Sequence, residues 1–500
     1  METGSRQETV TETGFKARIG KEQAACCDVA AHFPCGSRLS SSPPVVWLPL
    51  VNPYLPSSIL LPKSEKQQIP PHHTHGIAMP TDSSDSTSSW TTVQDFLQNG
   101  DSRAASCFRR TRWDQLCLIA SNANRDLECV ALDQVASGLN NVVRLLEFSD
   151  RSRWAARVQI KSTTCLREQA GNAELGAEVA TMQFIKDRSD LAVPEVFAYA
   201  LDENNPVGVA YMLIEVLPGI VAMDALGGYE VHRGVIPAQY RQPFYRSVAA
   251  CHVRSDQALL DRFDFRELTI YQVQITSLRL PKIGTVVRTQ EGGYESGPLP
   301  GIGGPFDTAA AFFEAWADKV KFKWDEETIR RMMQRGPIPA EQMIAIIGQF
   351  PSQIKAMASR LSANNEGPFP LCHDDFLHSN ILVDESNFTV TGIIDWKGAC
   401  TVPWELIAFP EFLQAMPVSF DLPQKYDRDG QPLDEELKQM WRERREYVEM
   451  VKSAERGDNL LSTCLGSKRS QALAYTYGAF TSIGKLGFYD RVVEELEKES

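Results

Sequence analysis

Two side chains that carry oxygen atoms flank a short apolar stretch late in the chain, and their spacing predicts that they lie together. Apolar runs at 381–383 and 390–394 are separated by a turn-prone Asp-Glu-Ser-Asn segment, which predicts a β-hairpin. Such a hairpin would set Asn380 opposite Asp395, with Cβ atoms about 4.5 to 5.5 Å apart. An amide oxygen and a carboxylate that face one space suit Mg²⁺, which prefers a few oxygen ligands together with water and phosphate.

A second carboxylate, Asp375, lies on the loop that leads into the predicted hairpin, and His373 precedes it by two positions. A carboxylate beside a metal and phosphate site can accept the proton of an attacking hydroxyl during phosphoryl transfer. Taken alone, Asp375 would more simply be a solvated loop acid. Together with Asn380 and Asp395 it favours a nucleotide site, because one turn places three polar groups close together.

The pattern His373-x-Asp375-x4-Asn380, followed by an apolar strand that ends in Ile-Asp395-Trp, resembles the signature of the aminoglycoside phosphotransferase family. That family is a small-molecule branch of the protein-kinase-like superfamily. The resemblance implies that Asp375 is the catalytic base and that Asn380 and Asp395 are magnesium ligands. It also implies that His373 is a buried residue that holds the catalytic loop.

The resemblance extends beyond this motif. The segment 400–405 is similar to the one that follows Ile-Asp-Trp in many fungal members, whereas Asp374 stands where the family usually has Gly or Pro. The Arg and Ala-Pro-Glu elements of regulated protein kinases are missing from the corresponding positions of this sequence. The motif therefore favours a small-molecule kinase over a protein kinase.

Three strand-like runs occupy 128–135, 141–148 and 154–160, and the turn between the first two contains Gly138 and Asn140. A glycine lets a backbone approach phosphates, and free N–H groups in such a turn can bind an anion. Taken by itself, a single glycine is better explained by an ordinary hairpin turn. The order of elements resembles that of the kinase-like fold, which implies that Gly138 and Asn140 contact the nucleotide.

The third run carries Arg157 where the family's strand usually has lysine, and a helix predicted at 172–186 supplies Glu178. The resemblance implies that Glu178 positions Arg157, whose guanidinium can bind phosphate oxygens in a bidentate manner. Lys161 lies on the same strand face by period-2 counting and is the alternative cation. The structural alternative is an exposed Arg–Glu pair of little energetic value.

Two further strands are predicted at 193–200 and 210–215 and would complete a five-stranded N-terminal sheet. The residues that follow, 216–219, resemble the hinge that binds adenine through its backbone. On that resemblance Glu215 and Leu217 are candidate nucleotide contacts. The sequence features of this segment equally suit any strand-to-helix turn.

The resemblance implies an α+β, bilobal protein-kinase-like fold. Its small N-terminal lobe holds a five-stranded antiparallel sheet and a helix, and its larger, mainly helical C-terminal lobe holds the catalytic β-hairpin. We divide the chain into a low-complexity extension (1–90), an N-terminal nucleotide-binding lobe with preceding helices (91–217) and a C-terminal catalytic and substrate-binding lobe (218–500). Helical patterns are predicted at 91–101, 110–121, 172–186, 238–260, 307–335, 339–362, 403–415, 432–456 and 468–497, with irregular hairpins over 265–306.

Composition narrows the classes of partner. The chain has 500 residues and a formal charge of −13, which argues against nucleic acid or an anionic membrane as the main partner. Its 11 cysteines form no C-x-x-C pair, a pattern that suits reduced thiols and a cytoplasmic location. The first 90 residues are rich in Ser, Thr and Pro, and Met79 is an alternative start of the working protein.

The sequence thus predicts transfer of the γ-phosphate of ATP, with Mg²⁺, to a hydroxyl group of a small molecule. The alternative is a kinase-like module that binds a metabolite or partner protein without catalysis, which the single glycine and Arg157 favour. Glu405 and the acidic loop 416–433 could form the acceptor pocket or a solvated surface. Three aromatic residues could line an apolar pocket, although core packing is the simpler interpretation: Trp396, Trp404 and Phe409. The oligomeric state stays open.

Overall fold

The structure is a computed structural model, and it describes residues 90–99, 101–138, 140–161, 165–227, 236–249 and 271–498. All of these ranges belong to His72–Ser500, the second of two compact units into which the chain divides. The predicted extension over 1–90, including Met79, lies outside the described residues except for Trp90. The second half of the helix predicted at 238–260 also lies outside them.

Strands and helices alternate irregularly along the described chain. The strands are β1 (Thr91–Thr92), β2 (Cys129–Ser137), β3 (Asn141–Phe148), β4 (Arg153–Gln159), β5 (Val196–Ala200), β6 (Tyr211–Glu215), β7 (Ile220–Val221), β8 (Arg279–Leu280), β9 (Gly284–Arg288), β10 (Tyr294–Gly297), β11 (Phe369–Cys372), β12 (Ile381–Val383), β13 (Val390–Ile393) and β14 (Cys400–Thr401). The α-helices are α1 (Val93–Asn99), α2 (Ser102–Arg110), α3 (Trp113–Ala123), α4 (Cys165–Arg188), α5 (Ala238–Ala249), α6 (Tyr271–Ser277), α7 (Ala309–Lys319), α8 (Glu326–Met332), α9 (Ala340–Ala356), α10 (Ala358–Leu361), α11 (Glu435–Ala454), α12 (Leu460–Gly466), α13 (Lys468–Gly478) and α14 (Tyr489–Lys498).

The first sheet is antiparallel, in the order β1-β2-β3-β4-β6-β5. The α+β class is confirmed, whereas the predicted count of five strands is one too low. Thr91 and Thr92 add the sixth strand because they pair with Val135 and Gln134 at the edge of β2. The hydroxyl of Thr91 also donates a hydrogen bond to the carbonyl of Val135 (3.2 Å).

Arg157 lies in the middle of this sheet. On β4 it is flanked by Val143 of β3 and Met212 of β6. The helix that was predicted at 172–186 is α4, and it carries Glu178 among its buried residues. Strand pairing on both sides of β4 therefore fixes the backbone from which the Arg157 side chain extends.

The predicted hairpin forms from β12 and β13, and β12 also pairs with β7, so that the three strands make one sheet. Its register differs by one residue from the prediction. Ile381 pairs with Ile393, and the N–H of Ile394 donates to the carbonyl of Asn380 (3.0 Å). Asn380 thus lies opposite Ile394, and Asp395 is one residue further along. The turn contains Phe388 in a left-handed conformation (φ 58), and the pairing of the two strands is irregular between Leu382 and Val383.

Three helix predictions differ from the structure, and prolines account for one of them. The helix expected at 403–415 is replaced by short 3₁₀ turns at Trp404–Leu406 and Glu411–Leu413, each of which follows a proline, Pro403 or Pro410. The helix expected at 468–497 is divided by a π-helical turn at 479–483, and that expected at 307–335 is divided into α7 and α8. Within 271–306, the described part of the region predicted to be irregular hairpins, the structure has the helix α6 as well as the hairpin β9–β10.

Trp396, Trp404 and Phe409 are core residues, with exposed fractions of 0%, 1% and 4%. The core-packing interpretation is confirmed, and these aromatic rings line no open pocket. Trp396 also packs edge-on against the ring of His373, at 4.6 Å between ring centroids. Among the described residues, no helix is long and apolar enough to cross a membrane.

Candidate active site

The loop after β11 is held by His373. The backbone N–H of Asp375 donates to Nδ1 of His373 (3.2 Å), while Nε2 contacts the carbonyl of Ile394 (3.1 Å). An accepting Nδ1 and a donating Nε2 define one neutral tautomer. Burial lowers the pKa of His373 to about 4, so the ring is neutral at pH 7. His373 therefore links the loop to the hairpin by two hydrogen bonds to backbone groups.

Asp375 and Asn380 are in direct contact. The amide nitrogen of Asn380 donates to the backbone carbonyl of Asp375 (2.8 Å) and to its carboxylate Oδ2 (3.2 Å). Burial raises the pKa of Asp375, the bond from Asn380 opposes that shift, and the charges of Asp395 and Glu411 add to it. A raised pKa strengthens a carboxylate as a proton acceptor. Because the nitrogen of Asn380 is committed to Asp375, its amide oxygen is the atom left to bind a cation.

Arg157 connects two carboxylates from distant parts of the chain. One nitrogen of its guanidinium forms an ion pair with Glu178, and the other donates to Oδ1 of Asp395 at 2.9 Å. We call Arg157, Glu178 and Asp395 the ionic cluster. The exposed fraction is 12% for the side chain of Arg157 and 2% for that of Glu178. The interpretation of a solvated surface pair is therefore wrong.

Burial determines the electrostatics of this cluster. Burial raises the pKa of Glu178, and the charge of Arg157 opposes that shift. Asp395 differs, since its side chain is 46% exposed and its backbone adopts a left-handed conformation (φ 60). Lys161, the alternative cation, instead pairs with Glu203 (3.0 Å). The structure thus sets Arg157, and not Lys161, against Glu178.

The oxygen atoms of Asn380 and Asp395 are the candidate ligands for a magnesium ion. Asn380 precedes the first strand of the hairpin and Asp395 follows the second. Both carry hard oxygen donors of the kind that Mg²⁺ prefers. The carboxylate of Asp395 is only half buried and keeps Oδ1 on Arg157. Two protein ligands would leave the remaining positions to water and phosphate, as is usual for this ion.

The turn at Gly138 is less suited to phosphate than the sequence predicted. The N–H of Gly138 donates to the carbonyl of Asn141 (3.0 Å), so this N–H is engaged within the turn. The carbonyl of Asn140 accepts the N–H of Ile160 (2.8 Å). A Cβ added to Gly138 would meet no atom within 4 Å. Gly138 and Asn140 are both exposed, and no neighbouring group in the described structure requires a glycine at position 138.

Glu215 and Leu217 lie at the end of β6, near the hairpin. The N–H of Glu215 donates to the carbonyl of Glu195 (2.9 Å), and its carboxylate pairs with Lys186 (3.3 Å). A Cβ added to Gly392 would come within 2.5 Å of the Leu217 side chain, so Leu217 packs directly on β13. These contacts engage the side chains of Glu215 and Leu217, and a contact of either residue with a nucleotide stays a prediction.

Two carboxylates next to Asp375 were not predicted. Glu411 lies 3.4 Å from Nδ1 of His378 and adds negative charge beside Asp375. Asp374 is crowded by Gly398, where an added Cβ would lie 2.9 Å from the Asp374 carboxylate. Burial, followed by the charge of Asp375, raises the pKa of Asp374 to about 6. No sequence signal marks Glu411, because only the chain path from Pro410 brings it beside the loop.

The acidic residues that were considered for an acceptor pocket have structural partners. Glu405 is buried and accepts the N–H of Ala363 (2.9 Å). Asp421 is buried and contacts Lys425 and the hydroxyl of Tyr426 (3.1 Å). Both carboxylates are thus buried and bonded within the protein, so a solvated surface does not describe them, and their part in an acceptor pocket stays a prediction.

This α+β chain combines a His-Asp-Asn loop, an Ile-Asp-Trp hairpin and a buried ion pair between a strand and a helix. These features define the protein-kinase-like class. The model of the family described as "Phosphotransferase enzyme family" (APH) matches residues 132–404, more than half of the chain. The chain belongs to this family.

Individual relatives are more distant or match over a short length. A subtelomeric hrmA-associated cluster protein of Aspergillus fumigatus is 51% identical over 93 residues, which is 18% of this chain and 17% of that protein. An aminoglycoside phosphotransferase in a ternary complex with ADP and hygromycin B is 15% identical, with 76% of this chain and 98% of that chain covered and a TM-score of 0.37. An aminoglycoside phosphotransferase from Streptomyces rimosus is 13% identical, with 72% and 99% covered and a TM-score of 0.32. Family membership rests on the family model alone.

Proposed function

We propose that the protein is a phosphotransferase that moves the γ-phosphate of ATP, bound with Mg²⁺, to a hydroxyl group of a small molecule. The observation that carries this proposal is the contact between Asn380 and Asp375 (3.2 Å). It joins a base in reach of solvent to a residue whose free amide oxygen can bind a metal. The family match over residues 132–404 supports the same class of reaction.

Asp375 would orient the acceptor hydroxyl and accept its proton at the carboxylate. The bond from Asn380 and the bond between its own N–H and His373 fix the position of Asp375 before substrate binds. A fixed base contributes to catalysis because the geometry of attack is set in advance. The neutral ring of His373 takes no proton in this scheme and serves to hold the loop.

Asn380 and Asp395 would hold the magnesium ion. When bound, the ion would neutralise the charge of the phosphate oxygens during transfer. Arg157 fixes Oδ1 of Asp395 through a bond of 2.9 Å, and Glu178 fixes Arg157. The ionic cluster would thus orient one metal ligand and present a guanidinium to the phosphates.

A binding module without catalysis is the second candidate, because two features of the site favour it. The N–H of Gly138 is engaged by Asn141, and one side of the Arg157 guanidinium is engaged by Asp395. Either feature would weaken the grip on a triphosphate. We also propose that the chain is divided into two lobes, that it is located in the cytoplasm and that its partner is a small molecule.

A thermal-shift experiment tests the nucleotide site. The protein is titrated with ATP or a non-hydrolysable analogue, with and without Mg²⁺, as wild type, as Asp395→Asn and as the control Asp307→Asn, whose side chain is 74% exposed. A ligand that binds only the folded state stabilises it by about 2.7 kcal/mol at a hundred times its Kd. We expect a magnesium-dependent shift in wild type and control that Asp395→Asn loses.

The outcome also separates the two candidates. A magnesium-dependent shift, followed by slow release of phosphate from ATP that Asp375→Asn abolishes, supports the enzyme. A shift without any phosphate release, even with a panel of hydroxylated small molecules, supports the binding module. If no nucleotide shifts the wild type, the proposal is wrong.

A further inference from the structure

The hairpin β9–β10 lies against the C-terminal turns of α4. Arg288 of β9 pairs with Tyr294 of β10, so both side chains emerge on the same face of the hairpin. The hydroxyl of Tyr294 donates to Oδ2 of Asp187 (2.5 Å), and its ring packs on that of Phe184, with 5.1 Å between the centroids. The guanidinium of Arg288 donates to Gln183 (3.1 Å). Two hydrogen bonds and one ring contact therefore hold this end of the helix.

Ion pairs hold α4 further towards its N-terminus. Glu174 pairs with Lys397 (3.1 Å), and Glu178 pairs with Arg157. Residues four positions apart lie on one face of a helix, so a single face of α4 carries both carboxylates. Lys397 lies two residues after Asp395, which Arg157 also contacts. A shift of α4 would therefore move the carboxylate that holds Arg157.

Backbone pairing joins the hairpin to the catalytic loop. β9 pairs with β14, and β14 pairs with β11, the strand that ends directly before His373. Val286 of β9 is fully buried and belongs to the same hydrophobic core as Phe184 of α4 and Leu371 of β11. The sheet that sets the position of the catalytic loop thus also sets the position of the hairpin that contacts α4.

The bond from Tyr294 is the strongest polar contact between the hairpin and α4. Its acceptor is a carboxylate, and hydrogen bonds to an ionised group are about twice as strong as neutral ones. Burial, followed by the bond to Asp187, raises the pKa of Tyr294 to about 12. The hydroxyl therefore keeps its proton, and donates this bond, at pH 7.

We propose that Tyr294 and Arg288 are positioning residues for the nucleotide site, because the hairpin holds α4 where Glu178 keeps the guanidinium of Arg157 in place for phosphate. Their influence passes through α4 and not through contact with the nucleotide. The role towards phosphate rests on the proposed function, whereas the hold on α4 does not. Two experiments therefore test the two parts separately.

Amide hydrogen exchange of the full-length protein without nucleotide tests the hold on α4. Tyr294→Phe removes the hydroxyl and keeps the ring, and the amides over 172–186 should exchange about fivefold faster because a stabilising hydrogen bond is lost. The control is Tyr245→Phe, which removes another tyrosine hydroxyl bonded to a carboxylate, that of Glu443 (3.0 Å). This control should leave exchange over 172–186 as in wild type.

The Kd for a non-hydrolysable ATP analogue with Mg²⁺ tests the role towards phosphate. Tyr294→Phe should raise this Kd about threefold, and Tyr294→Ala, which also removes the ring contact with Phe184, should raise it further. Asp187→Ala should match Tyr294→Phe, whereas Asp187→Asn keeps an oxygen that accepts the bond and should restore the wild-type Kd. Tyr245→Phe should bind the analogue as wild type does, even where it lowers the midpoint of unfolding, so that a general loss of stability is separated from positioning.

The proposal is overturned if exchange over 172–186 is the same in Tyr294→Phe and wild type, or if exchange becomes faster while the Kd stays unchanged. Failure of the proposed function would look different. The wild type would then bind no nucleotide, while faster exchange in Tyr294→Phe would still show that the hairpin holds the helix that carries Glu178.

Discussion

The catalytic loop and the ionic cluster belong to one candidate site, but different forces hold them. The loop is local, since His373, Asp375 and Asn380 lie within eight positions and are joined by hydrogen bonds to neighbouring backbone groups. In the ionic cluster, Arg157 and Asp395 are 238 positions apart and are held by charge in a largely buried setting. We infer that a substitution of the catalytic base in the loop alters catalysis with little effect on the free energy of unfolding. A substitution in the ionic cluster should alter both.

The largest expected effect is on turnover and comes from the loop. Asp375→Asn keeps the shape of the side chain and removes the proton acceptor, so kcat should fall by about 10² to 10⁴. The midpoint of unfolding and the Kd for ATP should change little, because the side chain is only partly buried and an asparagine oxygen can still accept the bond from Asn380. Steady-state kinetics and urea unfolding check both expectations. The matched control is Asp374→Asn, and a loss of similar size there would transfer the role of base to Asp374.

The ionic cluster should respond in the opposite way. Arg157→Met leaves Glu178 buried without its cation, which should lower the free energy of unfolding by about 3 to 5 kcal/mol. The double variant Arg157→Met/Glu178→Met should recover most of that loss, since an apolar pair replaces a buried ion pair at little cost. Lys161→Met, which removes an exposed ion pair, is the control. Urea unfolding of all four proteins gives the comparison, and equal stability of Arg157→Met and wild type would show that Glu178 is better solvated than the structure indicates.

Acid should destabilise the loop through His373. Its pKa is about 4 in the folded protein against 6.5 for the free side chain, so the unfolded chain binds the proton first as pH falls. The stability contributed by the neutral ring is complete above about pH 6.5 and is lost as pH falls towards 4, with a loss of about 3 kcal/mol. Unfolding midpoints at several pH values should show this loss in wild type and a smaller one in His373→Gln. Parallel pH profiles of the two proteins would rule out His373 as the source.

The sequence predicted local features, such as the catalytic loop, better than contacts between distant segments, such as the ionic cluster. The hairpin and the contacts of Asp375 with Asn380 depend on residues close in the chain, and their spacing was sufficient. The register was wrong by one residue, and the spacing of the two apolar runs did not reveal the irregular pairing between Leu382 and Val383. That shift moves Asp395 out of the pairing with Asn380 and towards Arg157.

Contacts between distant segments could be predicted only in part. The resemblance to a known family placed Arg157 against Glu178, but the bond from Arg157 to Asp395 and the position of Glu411 depend on tertiary packing. The helix predicted at 403–415 failed for a local reason that was visible, since two prolines interrupt it.

The smallest expected effect concerns Gly138, which belongs neither to the catalytic loop nor to the ionic cluster. Its φ is outside the left-handed region and an added Cβ would meet nothing within 4 Å, so Gly138→Ala should leave stability unchanged or slightly higher. Gly484→Ala is the control, because φ there is 68 and the new Cβ would lie 2.5 Å from that of Lys323. That variant should lose stability in the same assay.

The Kd for ATP of Gly138→Ala then shows which part of the site binds the phosphates. A change of less than about twofold is expected, because the N–H of Gly138 is engaged by Asn141 and the ionic cluster remains to contact the nucleotide. A loss of tenfold, about 1.4 kcal/mol, would mean that the turn rearranges around the triphosphate and that its glycine is needed for close approach of the backbone. In that case the turn, like the catalytic loop, would be a local element whose role the sequence had predicted correctly.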